Sequence, residues 1–449
     1  MMDKIKAWWA LDEAEEMASA DNPFAPLKKE QKQDTFPMLT LAFGWGFLIT
    51  GLMTGGALGA GLPFWPDLVA ASFLGNFVNF VVGALVGYMG FKTACNSGLL
   101  YRFVYGRVGV YLPVLFLSLL IIGWHAVLVG AFGFAWAQSF DSVMFYVVAI
   151  LGGILFTITT YFGVKGIEKV SVPSVAVLVL VGLYAAYTNI AQAGGMDGFL
   201  RMSEEIAAKT PITFVKAINL VIGSWIVGAI VMAEYTRFAK KAWVALAIPF
   251  IVLIISQWFL QIVGSMGGIV SGTADFTTYM LQQGFVIGGI GLIGMSLALW
   301  TSGDANLYLP VIQTSSVLRR PKRVMVVICG AIGTVLGLGL YQHFIAWIDT
   351  LASIVPPLIG PVIVDYYLCH RTEYDFAHSN QLHSWNVTAV VAYFVGVIST
   401  FYAPDWIVAS LLGLVVSMVV YAVAYYGAAV FNYRLGYAKI NNKERGPAE

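Results

Sequence analysis

Gly44-Trp45-Gly46-Phe47-Leu48-Ile49-Thr50-Gly51-Leu52-Met53-Thr54-Gly55-Gly56-Ala57-Leu58-Gly59-Ala60-Gly61 is apolar enough to cross a bilayer and too rich in glycine for an ordinary helix. A spanning helix needs ~20 mostly apolar residues, and glycine in a helix interior costs roughly 1 kcal/mol relative to alanine. Glycines at this density serve close helix packing or an interruption. In lipid, unwound backbone is tolerated only where it lines a cavity or is buried in protein. A second stretch, Gly223-Ser224-Trp225-Ile226-Val227-Gly228, carries glycines near the centre of a later apolar run. Interruptions at matching places in two halves of a chain are the best sequence pointer to a transport site.

The rest of the sequence suits this reading. The chain is 59% hydrophobic and 11% charged, against ~25% charged in soluble domains. Apolar runs fall at roughly 37–61, 67–91, 109–138, 143–163, 171–192, 213–236, 243–271, 284–309, 324–341, 345–368, 384–402 and 406–431, about twelve spans. Tyr341 to His343 is the break between the ninth and tenth. With the N-terminus in the cytoplasm, the loops place all but three of the 25 Lys and Arg residues inside. The exceptions are Arg201, Lys209 and Lys216, and this alternation is a strong positive-inside signal. Both termini are therefore expected in the cytoplasm of a cell with the protein in its inner membrane. The polar stretch 1–36 lacks the apolar core and cleavage site of a signal peptide.

The expected organisation is a cytoplasmic tail (1–36), a first five-helix repeat (37–192), an extracytoplasmic segment (193–212) and a second five-helix repeat (213–368). Two further helices (384–431) and a cytoplasmic tail (432–449) follow. Five is odd, so a second copy inserts upside down. The net charge of +1 gives no field for nucleic acid. Cys95, Cys329 and Cys369 have neither disulfide nor zinc spacing. No HExxH, GxSxG or phosphate-binding loop is present, so no enzyme, cofactor or ATP-driven pump is indicated.

Several residues stand out by depth. Leu48, Trp124, Trp225 and Thr301-Ser302 fall near the middle of their spans. Trp prefers the membrane interface, so two midplane indoles need partners or a cavity, and their faces can stack a flat heterocycle. Bulky packing is the plain alternative for either one. Thr301 and Ser302 offer hard oxygens to a small cation, although such hydroxyls often bond back to their own helix. Glu234, Asp304 and Asp365 are buried-span carboxylates, which usually mark a polar interior or ion path. Glu234 can pair with Arg237, Asp365 can be interfacial, and Asp304 has no local cation. His125, beside Trp124, is the one midplane histidine.

The segments Thr54–Leu62, Gly123-Trp124, Gly223–Ile226, Trp300–Ser302 with Asp304 and Leu307-Tyr308, Ile354–Pro357 and Val364–Tyr366 occur together in order. By this colinear set, from about 37 to 435, the chain resembles the nucleobase–cation symporters of the purine–cytosine permease type. The resemblance implies an all-α LeuT-type fold of two inverted five-helix repeats plus two helices, and Na⁺-coupled uptake of a nucleobase-like molecule by alternating access. Trp124 and Trp225 would be aromatic plates around the base, with backbone at Leu48 and Ser224 facing it. A Na⁺ site would use carbonyls of Gly44, Phe47 and Ala298 and hydroxyls of Thr301 and Ser302. The family's cytosine-reading groups do not carry over: a Gln is Ile121 here, two Asn are Ala298 and Gly303, and a Ser is Val227. A related heterocycle, a purine or a pyrimidine vitamin precursor, would be read by His125, Thr50, Asp304 and Asn306. Alternatives are proton coupling through Asp304 or Glu234 and an amino-acid transporter of the same fold. A membrane enzyme or a channel fits the short loops and paired interruptions less well.

Overall fold

The computed structural model describes residues 9–10, 24–162, 179–180, 182–271, 276–282, 285–370, 374, 376 and 382–430. Residues 171–178 and 181 of the expected fifth span, 171–192, and the tails at 1–8, 11–23 and 431–449 lie outside them. Among the described residues the architecture is helical, with one isolated bridge between Gln33 and Ala239. Seven helical stretches are long and apolar enough to cross a membrane, and one bent pair makes an eighth. Lys322–Cys369 runs through two of the expected spans with only a single 3₁₀ turn, Tyr341–His343, between them.

The bent pair is the first expected span. Helix α1 (Thr35–Gly46) stops at Phe47, whose φ of −84° and ψ of 51° leave the helical region. Helix α2 (Thr50–Gly59) resumes at a bend of 41°. The break falls on Phe47, Leu48 and Ile49, where there is no glycine. The glycines of α2 serve contact instead. A Cβ at Gly55 would lie 2.1 Å from the carbonyl oxygen of Gln261, so α2 lies with its backbone against helix α11 (Trp258–Ser271).

The next helices are α3 (Val69–Thr93), α4 (Ser97–Tyr105), α5 (Tyr111–Ala137) and α6 (Val143–Tyr161). Side chains cap two of them: Asn96 accepts from the Leu99 N–H and Ser142 from the Met144 N–H, satisfying donors that a helix start leaves free. Helix α7 (Met196–Ala207) occupies the expected extracytoplasmic segment.

The sixth span corrects an expectation. Helix α8 (Phe214–Ile230) continues through Gly223, Ser224, Trp225 and Gly228, and the interruption comes later, at Val231 and Met232, before the short α9 (Ala233–Thr236). Gly223 is bare because its Cβ would sit 2.0 Å from the Ile348 carbonyl, and Gly228 because its Cβ would meet the Trp225 ring at 2.6 Å. These glycines make room for a neighbour and for an indole; they do not unwind the helix.

Helix α10 (Ala242–Phe250) passes through a π-helical turn, Ile251–Gln257, into α11. After α12 (Phe276–Gln282), helix α13 (Phe285–Leu318) is longer than the expected 284–309. Its final turns are polar but buried at Gln313, Thr314 and Ser315, so polarity there does not signal a loop. Helices α14 (Lys322–Leu340), α15 (Phe344–Ile354), α16 (Pro356–Val364), α17 (Val387–Phe401) and α18 (Ala409–Val430) complete the chain. Helix α13 lies along α5 and touches α6, while α8 lies along α3 and α15. Replacing Gly55 with Val should overpack the α2–α11 contact by ~1–3 kcal/mol or more. The expected result is a lower melting temperature of the purified protein, and unchanged melting would show that this contact is loose.

Candidate functional site

The break between α1 and α2 leaves backbone groups without helical partners. Gln257, on the π-helical turn, donates its Nε2 to the carbonyls of Gly46 at 2.6 Å and Leu48 at 3.3 Å. From the other side, the Ile49 N–H donates to Ser302 Oγ on α13 at 3.2 Å. Among the described residues no backbone N–H outside the helices donates to the Gly44 or Phe47 carbonyl. These two oxygens are among the five expected cation ligands. Thr301 Oγ1 donates to the Ala298 carbonyl at 3.1 Å, one turn back on α13. Hydroxyls and the carbonyls of an unwound helix suit a small hard cation in chemistry.

Beside the break is a cavity of about 30 Å³, room for roughly one water molecule. Six expected residues line it: Leu48, Thr50, Trp124, Ser224, Trp225 and Asn306. Trp45, Gly228 and Leu309 line it too, with the apolar side chains of Ile121 and Val227. Trp45 was not singled out from the sequence. It is a buried mid-span indole like Trp124 and Trp225, so the depth criterion that picked those two also fits it. Its ring centroid is 5.2 Å from that of Trp225, inclined at 65°, and 4.0 Å from that of Tyr235 on α9. Trp124 meets Phe344 of α15 edge-on at 6.0 Å, and the Trp347 indole fills the space where a Cβ of Gly123 would stand.

His125 and Asp304, expected to read the substrate, do not line this cavity. Successive residues of a helix turn through about 100°, so Asp304 lies on nearly the opposite side of α13 from Asn306. Its Oδ1 accepts from Thr159 at 2.6 Å and Thr160 at 3.4 Å on α6, while Trp300 Nε1 donates to Thr159 Oγ1. Among the described residues Asp304 Oδ2 is buried without a hydrogen-bond partner. His125 donates its Nδ1–H to the Gly303 carbonyl at 3.0 Å and packs against Phe156. Asn306 Nδ2 donates to the Ser302 carbonyl and Ser224 Oγ to the Val221 carbonyl.

The other two carboxylates belong to the ends of the bundle. Glu234 Oε1 accepts from the Ser97 N–H at the start of α4, and Arg237 Nε donates to the Glu234 carbonyl. Asp365 is buried within the protein. It accepts from the hydroxyls of Tyr421 and Tyr374, with His370 Nδ1 at 3.1 Å.

Residues 26–427 match the family described as permease for cytosine/purines, uracil, thiamine, allantoin. The chain is 28% identical over 388 residues to cytosine permease of Escherichia coli K12, covering 86% of this chain and 90% of that protein. It is 20% identical over 444 residues to hydantoin permease of Microbacterium maritypicum, covering 88% and 86%. Among solved structures, Mhp1, a nucleobase-cation-symport-1 family transporter in a closed conformation with bromovinylhydantoin bound, superimposes with a TM-score of 0.76 at 17% identity. That match covers 90% of this chain and 95% of that one. The fold is thus the all-α LeuT type, with the broken first helix beside the cavity. The chain belongs to the cytosine/purine, uracil, thiamine and allantoin permease family, as a multi-pass membrane transporter and not an enzyme.

Proposed function

We propose that this permease imports a nucleobase or related flat heterocycle across the inner membrane by Na⁺ symport with alternating access, both termini being cytoplasmic. On this reading, residues 37–192 and 213–368 are the two inverted repeats, and 384–431 adds two helices. One observation carries the coupling. Leu48 and Thr50 line the cavity, while Ile49 between them is hydrogen-bonded to Ser302. Substrate and cation would therefore meet on neighbouring residues at the break, Leu48 to Thr50. Na⁺ would be held by the carbonyls of Gly44, Phe47 and Ala298 and the hydroxyls of Thr301 and Ser302. Filling that site fixes the broken segment in the form that Leu48 and Thr50 present to the substrate. The substrate would stack against Trp124 and Trp225, and indole stacking is worth ~1–3 kcal/mol per base. Cargo named for the relatives, cytosine and a hydantoin, is flat and heterocyclic, which supports this chemistry.

A second reading, proton coupling through Asp304, has one observation in favour: among the described residues Asp304 Oδ2 is buried without a hydrogen-bond partner. The partners of Oδ1 are on α6 and not on the broken helix, so its protonation has no direct route to Leu48–Thr50. Na⁺-independent uptake that rises as external pH falls would select this second reading.

The first test is thermal stability in detergent with nucleobases and related heterocycles, in Na⁺ and in K⁺. A ligand at a hundredfold excess over Kd stabilises the folded state by ~2.7 kcal/mol. The expected result is a shift with one class of heterocycle, larger in Na⁺; no shift with any of them in either salt would overturn the assignment. Trp124→Ala and Trp225→Ala should each abolish binding in a protein that still elutes as a single folded species. Normal transport by both variants would show that the substrate sits elsewhere. Thr301→Ala should weaken the Na⁺-dependent part of binding, measured as an increase in the Na⁺ concentration for half-maximal binding; an unchanged Na⁺ requirement would remove Thr301 from the site.

A further inference from the structure

The polar groups around the cavity are unequal in kind, and the inequality restricts what can bind. Among the described residues the indole N–H of Trp45 has no hydrogen-bond acceptor, although a buried indole N–H usually has one; Trp124 and Trp225, as stacking plates, hold their N–H groups in planes parallel to the substrate ring and do not reach its edge. All three side chains are 5% exposed or less. The backbone N–H groups of Leu48 and Thr50 also have no backbone acceptor. They lie at the start of α2, a helix of 10 residues whose first turn has no side-chain cap. Its unsatisfied donors and dipole favour an electron-rich oxygen or nitrogen there.

Acceptors are fewer than donors on the same surface, where the Thr50 hydroxyl can donate or accept. The Leu48 carbonyl is already engaged by the Gly51 N–H and Gln257. Ser224 gives its proton to the Val221 carbonyl and keeps only lone pairs for a ligand. Asn306 is the one side-chain amide in the lining and spends one N–H on the Ser302 carbonyl. The lining has no Asp, Glu, Lys, Arg or His.

We propose that Trp45 is a third indole wall of the cargo cavity and that the cavity selects a neutral ring with an imide edge, two carbonyls flanking one N–H. This rests on the reading of the cavity as the heterocycle site. Two carbonyls meet the surplus of donors, and the single N–H between them finds Asn306 Oδ1 or Ser224 Oγ. An exocyclic amino group brings two more donors to a surface short of acceptors. A fixed cation would be buried without a counter-charge, which is strongly unfavourable. Trp45 sets the floor of the cavity because its ring is held between Trp225 on α8 and Tyr235 on α9. Its ring position is thereby fixed while its N–H stays available.

The test uses the full chain in detergent with Na⁺ present and three probes: uracil for the imide, cytosine for the amino-substituted ring and thiamine for the cation. Affinities are read by thermal shift and by quenching of indole fluorescence. Uracil is expected to bind at least about tenfold more tightly than cytosine, the value of one lost hydrogen bond, and thiamine not measurably. Trp45→Phe keeps a ring against Tyr235 and removes the N–H. It should melt like the parent without ligand, lose about tenfold in uracil affinity and narrow the gap between uracil and cytosine. Equal binding of uracil and cytosine, or tight thiamine binding, overturns the imide assignment while leaving the heterocycle site standing. Parental uracil affinity in Trp45→Phe removes Trp45 from the wall. If no probe and no other nucleobase binds in either salt, the site itself is misassigned and this inference falls with it.

Discussion

Three residues between two helices, Phe47, Leu48 and Ile49, organise the centre of this transporter. Unwound backbone in a membrane needs internal partners, and the protein supplies them from two helices. Gln257 reaches the carbonyls on either side of Phe47, and Ser302 accepts from Ile49. The π-helical turn that places Gln257 follows from the same need. An extra residue in a helical turn redirects a side chain, and such turns are frequent at functional sites. Remove either partner and buried polar backbone is stranded, at a cost of ~1–3 kcal/mol per group. The break is therefore held from both sides, and one of the two holding helices, α13, also lines the cavity.

Helix α13 divides its circumference between three tasks. Ser302 faces the break, Asn306 lines the cavity, and Asp304 is turned to Thr159 and Thr160 on α6. This arrangement explains how a short polar run, Thr301-Ser302-Gly303-Asp304, can exist inside a membrane helix. Each polar side chain meets a different neighbour, and Gly303 leaves space that Phe156 fills, with a Cβ position only 2.4 Å from its ring. The carboxylate belongs to the contact between α13 and α6. Its charge-bearing chemistry is separated from the cavity by the body of the helix.

Much of this was legible in the sequence, and what was missed has a common cause. Apolar length identifies the spans, and burial depth identifies Trp124, Trp225 and Leu48. Glycine misleads about where helices break. The first break occurs at Phe47–Ile49 and the second at Val231–Met232, both without glycine, while Gly55, Gly223 and Gly228 answer to the Gln261 carbonyl, the Ile348 carbonyl and the Trp225 ring. Those demands come from other helices and leave no mark in local sequence. Asp304 and His125 were nominated by depth and polarity, which do not report the side of a helix. Trp45 satisfies the depth criterion, but its contacts with Trp225 and Tyr235 are visible only after α1, α8 and α9 are brought together.

The small cavity also constrains how a substrate can enter. With volume for about one water, the walls must separate before a ring fits between them, and α15 packs directly behind Trp124 of one wall. Its Phe344 and Trp347 lie against Trp124 and Gly123, and its Ile348 carbonyl packs on bare Gly223. The polar link at this end is an ion pair between Lys216 and Asp349, both partly exposed, with Asn219 donating to Asp349 at 3.3 Å. Exposed pairs contribute only ~0.2–1 kcal/mol, so this link adds little to the packing that holds α15 in place. The bend before Pro356, where proline cannot donate a backbone hydrogen bond, separates this upper half from α16, which is packed against α17 and α18. Helix α15 is thus held behind the cavity by aromatic surfaces and a weak ion pair, while α16 beyond the bend is packed against α17 and α18.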